Sequence, residues 1–486
     1  MNVLLLICLL LAAGLVAWAS ERIRPNLPNW VALTTFVLAT LWVVFAWLSG
    51  PHEGGLYAEQ FYSWIPRFGI NVILKVDGLS LMLIGLTMLL GAVAVVSSWT
   101  ETTTRRGFFQ FNILWVMAGV VGVFSAFDLF LFFFFWEVML IPMYFLIAIW
   151  GHEDRSYASM KFFLFTQISG LLMLVAIVAL VWIHYSTHGV LSFDYHTLLG
   201  AELDDSVARL LMLGFFVAFI TKLPSVPLHT WLPDAHTQAP TAGSVILAGI
   251  LLKTGAYGIV RFVVTLFPEA SRDFWIYGMA LGVASILYGG FMAYSQSDFK
   301  RLVAYSSIAH MGFVLVGVYS FNDLGMQGAI VTMIAHGFST AALFMMAGAL
   351  QERLHTREMS KMGGLWVKAP RMGAVTMFFV IASVGMPGLG NFIGEFLVLL
   401  GAFQKNVFLT ICAAIGIVVA AVYGLSLMQR SFQGTPNPDV PEMRDFAFRE
   451  MSAMIVLMVA LVWLGVYPQH VLSMTDAILP MLGVAP

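Results

Sequence analysis

The sequence consists mainly of apolar runs, about fourteen of them, each close to the 20 residues that an α-helix needs to cross a bilayer. Hydrophobic residues make up 60% of the chain and charged residues only 10%, and the mean hydropathy is +0.88. Soluble domains carry about 25% charged residues, so a soluble globular chain is excluded. The fold class predicted is an all-α polytopic membrane protein.

The loops divide the chain into spans whose boundaries can be read approximately. The predicted spans are 1–20, 29–49, 78–97, 110–127, 129–150, 160–183, 207–223, 240–265, 274–294, 301–320, 326–350, 373–402, 405–430 and 450–470. The first lacks the basic residues that begin a signal peptide, so we expect it to be retained. The region 51–77 is mixed and aromatic, and we expect it to lie along the membrane interface.

The distribution of charged residues predicts the orientation in the membrane, and the charged residues and cysteines together exclude several functions. Most lysines and arginines follow odd-numbered spans, which places those loops in the cytoplasm and both termini on the outer, periplasmic side. The net charge of -2 and the lack of a basic cluster exclude a nucleic-acid partner. Cys8 and Cys412 both lie in apolar runs without a C-x-x-C motif, so we expect no iron–sulfur ligands and no disulfide framework.

Two spans are interrupted by residues that break helices. The stretch 221–257 contains four prolines close to Lys222, and residues 385–396 read G-M-P-G-L-G-N-F-I-G-E-F. Broken backbone at membrane depth is tolerated only where protein or a water-filled cavity satisfies the freed groups. Two broken spans, five apart in the predicted order, indicate a transporter built from inverted repeats.

Among the charged side chains within predicted spans, four lie in the middle of a span or beside one of the two breaks: Glu137, Lys222, Lys253 and Glu395. Charges at that depth are costly and commonly mark an ion path. Glu137 needs a cation, and pairing with Lys222 would make a switchable proton carrier. The alternative is a static buried ion pair that fixes helix register.

Histidines near the middle of two spans add groups that titrate near neutral pH. His310 and His336 could form a proton relay, could be hydrogen-bonded structure, or could together ligate haem. His229 and His236 flank the first break, where a structural or gating role is expected.

Long motifs resemble the antiporter-like membrane subunits of respiratory complex I, relatives of the multi-subunit sodium/proton antiporters. The resemblance covers essentially the whole chain, and Glu395, where relatives carry lysine, is similar to the M branch of that family. The stretches of this sequence that carry the resemblance are W-E-V-M-L-I-P-M-Y, T-K-L-P-S-V-P-L-H-T-W-L-P-D-A-H-T-Q-A-P, A-Y-S-S-I-A-H-M-G and G-M-P-G-L-G-N-F-I-G-E-F.

The resemblance implies about fourteen transmembrane helices, in which spans 4–8 and 9–13 form two inverted five-helix repeats, each with a discontinuous helix. It divides the chain into 1–109 (spans 1–3 and the interfacial loop), 110–268 (first repeat), 269–430 (second repeat) and 431–486 (span 14). It also implies an order for the proton route: the Glu137–Lys222 pair, Lys253 as central relay, His310 and His336 linking the halves, and Glu395 as the terminal site.

The activity implied is proton translocation within NADH:quinone oxidoreductase, in the bacterial inner membrane, without redox chemistry in this chain. No cofactor or metal site is expected here, and FMN, iron–sulfur clusters, NADH and quinone are expected in partner subunits. The implied partners are antiporter-like neighbours on both sides, a lateral helix from a neighbouring chain, and lipids. The alternatives are a subunit of a sodium/proton antiporter, a subunit of a membrane-bound hydrogenase or formate-coupled complex, and a haem-binding electron carrier.

Overall fold

Long apolar helices form most of the structure, a computed structural model that describes residues 2–52, 55–476 and 479. The helices are α1 Val3–Ser20, α2 Leu27–Leu48, α3 Gly78–Ser97, α4 Arg106–Ser125, α5 Leu129–Trp150, α6 Arg155–His188, α7 Asp205–Lys222, α8 Trp231–Gln238, α9 Thr241–Leu266, α10 Trp275–Tyr294, α11 Phe299–Val318, α12 Asp323–Leu354, α13 Pro370–Val384, α14 Gly390–Lys405, α15 Val407–Ser431, α16 Phe448–Val466 and α17 Gln469–Asp476. Short helical turns lie at Pro66–Phe68, Tyr195–Leu198, Pro268–Asp273, Met359–Lys361 and Leu365–Lys368.

Within the described ranges, 12 helices are long and apolar enough to cross a membrane, which confirms a multi-pass helical membrane protein. Two predicted spans, 207–223 and 373–402, are not among them. Helix α7 carries three charged residues, Asp205, Arg209 and Lys222, so its composition differs from that of the apolar spans. The other span is divided into α13 and α14 at Gly385, which adopts the left-handed conformation (φ 86°) that ends α13.

A β-hairpin, which the all-α prediction missed, occupies most of the region 51–77. Strands β1 Ala58–Ile65 and β2 Ile70–Val76 pair antiparallel, and Gly69 supplies the left-handed residue of the turn. Aromatic side chains on β1 are exposed, among them Phe61, Tyr62 and Trp64. Such side chains suit a membrane–water interface, where the region was predicted to lie. We call this end of the helical bundle the hairpin side.

The helices sort into an inner and an outer set. The membrane-crossing windows of α9 and α12 are entirely buried, whereas only 28% and 33% of the corresponding windows of α2 and α15 are buried. Exposed apolar side chains such as Leu38, Phe45 and Phe408 lie on the outer set, as expected for helices that face lipid. The inner helices carry the buried polar residues.

Helix α1 is packed on α4. The carboxylate of Glu21, which follows α1, accepts hydrogen bonds at 2.9 Å from the backbone N–H groups of Arg106 and Gly107 at the start of α4. The indole of Trp115 donates to the carbonyl of Leu11 at 3.2 Å. These contacts fasten the middle and the C-terminal end of α1 to α4.

Glycines allow α12 and α14 to approach closely. A Cβ added at Gly328 of α12 would lie 2.5 Å from the backbone nitrogen of Val398 and 2.8 Å from the carbonyl oxygen of Gly394. Neither backbone atom can move without shifting a helix. Small residues at such crossings are how membrane helices gain packing contacts in the absence of a hydrophobic driving force.

We predict that Gly328→Ala destabilises the protein by about 1–3 kcal/mol, the usual cost of overpacking. Gly85→Ala is the matched control, because its added Cβ would meet only a methyl group of Val43 at an ordinary 3.4 Å. Thermal inactivation of the detergent-solubilised complex measures both variants. Equal midpoints for the two would contradict the close crossing.

Candidate functional site

The first break, between α7 and α8, is repaired by hydrogen bonds that replace the interrupted helix ladder. The indole of Trp231 donates to the carbonyl of Thr221 at 2.8 Å, and the N–H of Ser225 donates to Ile220 at 2.9 Å. The hydroxyl of Ser225 lies 2.9 Å from that of Ser285 on α10. The freed backbone is thus satisfied inside the protein, as membrane depth requires, and Lys222 is held at the end of α7.

Lys222 lies between aromatic rings rather than against a carboxylate. Its ammonium is 5.2 Å from the ring centre of Trp136 and 5.4 Å from that of Phe162, distances at which aromatic faces attract a cation. It is buried, and its Nζ has no hydrogen-bond partner among the described residues. Lys222 is therefore a cation removed from water, and its contacts with the two aromatic rings stabilise it only weakly.

Glu137 and Lys222 do not form a direct ion pair: among the described residues no ion pair within 4.0 Å joins them. The carboxylate of Glu137 turns toward α6: a Cβ added at Gly170 would lie 3.0 Å from its Oε1, and Gln167 is next to it. The indole of Trp136 is near both groups, since its Nε1 would lie 3.3 Å from the same added Cβ and its ring centre is 5.2 Å from the ammonium of Lys222. The charges of Glu137 and Lys222 are close enough to interact electrostatically without a contact ion pair.

Three polar atoms in this region have no hydrogen-bond partner in the part of the chain that the structure describes: Glu137 Oε1, Trp136 Nε1 and Lys222 Nζ. A buried polar atom without a hydrogen bond costs about 1–3 kcal/mol, so such atoms normally bind ordered water. Their grouping around one space is suited to water that connects the carboxylate to the ammonium.

Lys253 lies at the centre of the bundle on the fully buried helix α9. Two π-helical turns, Leu247–Leu251 and Ile259–Val263, flank it, and such turns are common at functional sites. Its ammonium donates to the carbonyl of Ala248 at 2.5 Å and lies 2.7 Å from Nδ1 of His336 on α12. Lys253 and His336 are therefore in direct hydrogen-bond contact.

The line continues from His336 to the second break. The rings of His336 and His310 are 5.5 Å apart between centres. Nδ1 of His310 lies 2.7 Å from Oε1 of Glu395 on α14, and its Nε2 is 3.0 Å from the hydroxyl of Ser383. Lys253, His336, His310 and Glu395, each at most 2% exposed, thus form one continuous buried line.

This arrangement does not fit haem ligation by the two histidines. Three of their four ring nitrogens already bond to protein: His336 Nδ1 to Lys253, and both nitrogens of His310 to Glu395 and Ser383. A haem iron would need one free nitrogen from each ring, directed at opposite faces of the macrocycle. His310 offers none, so the haem hypothesis is not supported.

Sequence reasoning missed a cluster at the end of the bundle opposite the hairpin. The carboxylate of Glu101 accepts the N–H of Thr241 at 3.1 Å at the start of α9, and the ammonium of Lys300 donates to the carbonyl of Ala239 at 2.5 Å. Burial raises the pKa of the Glu101 carboxyl, against the opposing effects of Lys300 and the Thr241 bond. Because these groups lie in loops or at helix ends, the high cost of a charge inside the bilayer did not single them out in the sequence.

A second missed pair lies on the hairpin side, where Arg261 of α9 forms a buried ion pair with Asp77. Arg261 lies within the predicted span 240–265, and nothing in the sequence indicated a role for it. His236, expected to be structural or gating, is stacked on Phe344 at 4.4 Å, and both its ring nitrogens lack partners among the described residues.

Comparisons with known proteins define the class first. A family model described as NADH:quinone oxidoreductase/Mrp antiporter, transmembrane, matches residues 126–421, so the fold and the buried line belong to an antiporter-like membrane protein. A subunit of the Mrp complex from a Dietzia species, 22% identical and with a TM-score of 0.86 over 99% of this chain and 98% of that one, shares the fold.

Full-length relatives narrow the class. The NADH-quinone oxidoreductase subunit M of Pseudomonas aeruginosa is 52% identical over 96% of this chain and 94% of the relative. A chain of respiratory complex I from Thermus thermophilus with bound NADH is 30% identical, with a TM-score of 0.90 over 99% of this chain and 100% of that one. This chain belongs to the family of NADH-quinone oxidoreductase subunit M.

We predict that Glu395→Leu lowers stability by about 1–3 kcal/mol, because it leaves Nδ1 of His310 without a partner. Adding His310→Leu should recover part of the loss, since replacing both members of a buried polar pair is often nearly neutral. Thermal melts of the solubilised complex give the double-mutant cycle. A double variant that loses as much as the two singles added together would show that the two side chains are not coupled.

Proposed function

We propose that this chain translocates protons as a membrane-arm subunit of NADH-quinone oxidoreductase, respiratory complex I. The observation that carries the proposal is the continuous buried line from Lys253 through His336 and His310 to Glu395. Each of these groups can take up and release a proton, and charged groups at such depth are otherwise too costly to keep. Family membership supports the same assignment.

Translocation begins at Glu137 and Lys222. Lys222 holds its proton in an aromatic cage without a hydrogen bond, so the negative charge of Glu137 is its main support. Moving or neutralising that charge favours release of the proton from Lys222. Because the two groups form no direct ion pair, the coupling is electrostatic and can be changed without breaking a direct bond.

The proton then passes to Lys253 through the contact between α7 and α9. Gly255, two residues from Lys253, permits this contact: an added Cβ would lie 2.5 Å from the carbonyl oxygen of Phe219 and 2.7 Å from the nitrogen of Leu223. Leu223 directly follows Lys222. The two lysines are therefore on neighbouring, closely packed segments, and water bridges the remaining interval.

From Lys253 the route follows the histidines to Glu395, the terminal site, and then to the outer face. This chain contributes only proton transfer. FMN, iron–sulfur clusters, NADH and quinone belong to partner subunits, whose redox reaction supplies the energy by disturbing the Glu137–Lys222 pair.

The architecture that goes with this function has fourteen spans. The two added to the 12 apolar helices are α7 with α8 and α13 with α14, the two interrupted ones. Spans 4–8 and 9–13 form inverted repeats within 110–268 and 269–430, preceded by 1–109 and followed by 431–486. Both termini and the hairpin side face outward from the bacterial inner membrane. Antiporter-like neighbours, a lateral helix of one neighbour, and lipids cover the outer helices.

A sodium/proton antiporter working without redox partners is the second candidate, since the Mrp relative has the same fold. The M-family membership disfavours it, and so does the relatedness to a complex I chain over the full length. Sodium-dependent proton flux in vesicles without NADH would favour the antiporter.

We predict that Glu137→Gln abolishes most NADH-driven proton pumping while the complex still assembles. Amide and carboxyl have the same shape, but the amide carries no charge to support Lys222, and losing a positioned proton-transfer partner slows such steps by about 10²–10⁴-fold. Inverted membrane vesicles with a pH-sensitive dye measure pumping, and a native gel measures assembly.

Glu153→Gln, in the exposed loop after α5, is the matched control and should pump as the parent does. Normal pumping by an assembled Glu137→Gln complex would remove Glu137 from the path. Normal pumping by an assembled Lys222→Met complex as well would reject the proposed path, because neither member of its first pair would then be needed.

A further inference from the structure

The face of α9 that carries Lys253 continues toward the hairpin side. Tyr257 and Arg261 follow Lys253 at intervals of four residues, so the three side chains lie along one face of the helix. At about 1.5 Å per residue, Arg261 is about 12 Å beyond Lys253 along the axis. A proton leaving Lys253 along this face would move toward the hairpin side rather than toward Glu395.

Arg261 ends this face in a fixed ion pair. Its guanidinium bonds to Asp77, and the two side chains are only 3% and 9% exposed. The rings of Phe127 and Tyr257 cover the guanidinium at 5.1 and 5.4 Å. The other oxygen of Asp77 accepts the N–H of Ser80 at 2.9 Å at the start of α3. Both carboxylate oxygens are therefore occupied.

Backbone hydrogen bonds close the surface above this pair. The N–H of Phe127 donates to the carbonyl of Ile73 on β2 at 2.9 Å, and the N–H of Tyr195 donates to the carbonyl of Phe127 at 2.8 Å. The N–H of Asn71 donates to Asp128 at 2.9 Å. The hairpin, the loop between α4 and α5, and the segment around Tyr195 thus form one hydrogen-bonded cap.

The chemistry of the pair distinguishes it from the proton-carrying line. Lysine, histidine and glutamate can exchange a proton, but an arginine guanidinium stays protonated in proteins. A proton that left Lys253 along this face would meet a cation that cannot pass it on, beside a carboxylate that accepts a hydrogen bond at each oxygen. Arginine serves the same purpose in pores that must exclude protons.

We propose that the Arg261–Asp77 pair is a proton barrier that closes the outer end of the first repeat. Protons that reach Lys253 then leave only through the second repeat. Arg261 is a residue that sets the direction of transport by acting on Asp77, which would itself carry protons if it were free. The inference rests on the proposed function, in which Lys253 is the central relay.

Passive proton permeability tests the barrier without any turnover. A potassium diffusion potential set by valinomycin drives protons across vesicles that contain the assembled complex, with NADH absent, and an internal pH-sensitive dye reports the rate. Arg261→Lys keeps the positive charge and the ion pair but introduces a group that can exchange its proton. We expect the proton flux to rise about tenfold, because a buried lysine loses proton affinity whereas arginine does not.

The double variant Arg261→Gln/Asp77→Asn separates proton exchange from packing. It removes both charges of the pair and introduces no group that exchanges a proton near neutral pH, while Tyr257 and Tyr195 beside the pair are unchanged, so it should be as impermeable as the parent. A purely structural role predicts the reverse, with the lysine variant impermeable and the neutral pair disrupted. An impermeable Arg261→Lys complex, or a double variant that conducts as much as Arg261→Lys, would overturn the proposal.

Arg353→Lys is the matched control, since Arg353 forms a comparable ion pair with Glu450, 14% and 10% exposed, away from this face. It should stay impermeable. Adding Lys253→Met to Arg261→Lys should return the flux to the parent rate, and a flux that persists would show that the barrier does not lie on the exit from Lys253. Pumping retained by Lys253→Met alone would contradict the proposed function instead.

Discussion

Water is absent from the bilayer core, so every polar group there must find its partner inside the protein. Most of this chain obeys that constraint closely. At the break after Lys222, for example, the indole of Trp231 and the N–H of Ser225 replace the helical hydrogen bonds that the prolines remove. Among the buried polar atoms without partners in the described residues are three that lie near one another, on Glu137, Trp136 and Lys222. The charges proposed to move are thus among the groups whose partners protein atoms do not supply.

Buried charge occurs in two forms that differ in whether a proton can be exchanged. Arg261 with Asp77 and Arg353 with Glu450 are pairs built on a guanidinium that does not release its proton. Lys253 with His336, and His310 with Glu395, are built from groups that do. The first form stabilises a fixed arrangement, and the second allows charge to pass between helices. Whether the cation can release its proton, rather than the number of ion pairs, therefore distinguishes the fixed structural pairs from the proposed proton path.

The sequence predicted the parts of the structure that depend on the length of apolar runs and on the free-energy cost of burying charge in a membrane. The boundaries 78–97 and 129–150 match α3 and α5 because apolar runs of that length have one stable form in a membrane. The residues of the central line could be identified because charge at that depth is expensive. The hairpin could not be predicted, since the alternation of apolar and polar residues in its strands is weak. The segment around Phe127 and Asp128, to which it is hydrogen-bonded, also lies far along the chain. The ion pair of Asp77 and Arg261 joins residues 184 positions apart, and no local pattern reveals it.

The absence of a direct ion pair between Glu137 and Lys222 bears on the proposed mechanism. A buried ion pair in contact is strongly held, and separating it costs several kcal/mol. Two charges that interact without contact are coupled more weakly, so a disturbance from a neighbouring subunit changes their interaction more easily. Lys253 with His336, and His310 with Glu395, have the opposite arrangement and are in direct hydrogen-bond contact. In the proposed function, weak coupling lies where energy arrives and close contact lies where protons are passed, as a chain driven from outside requires.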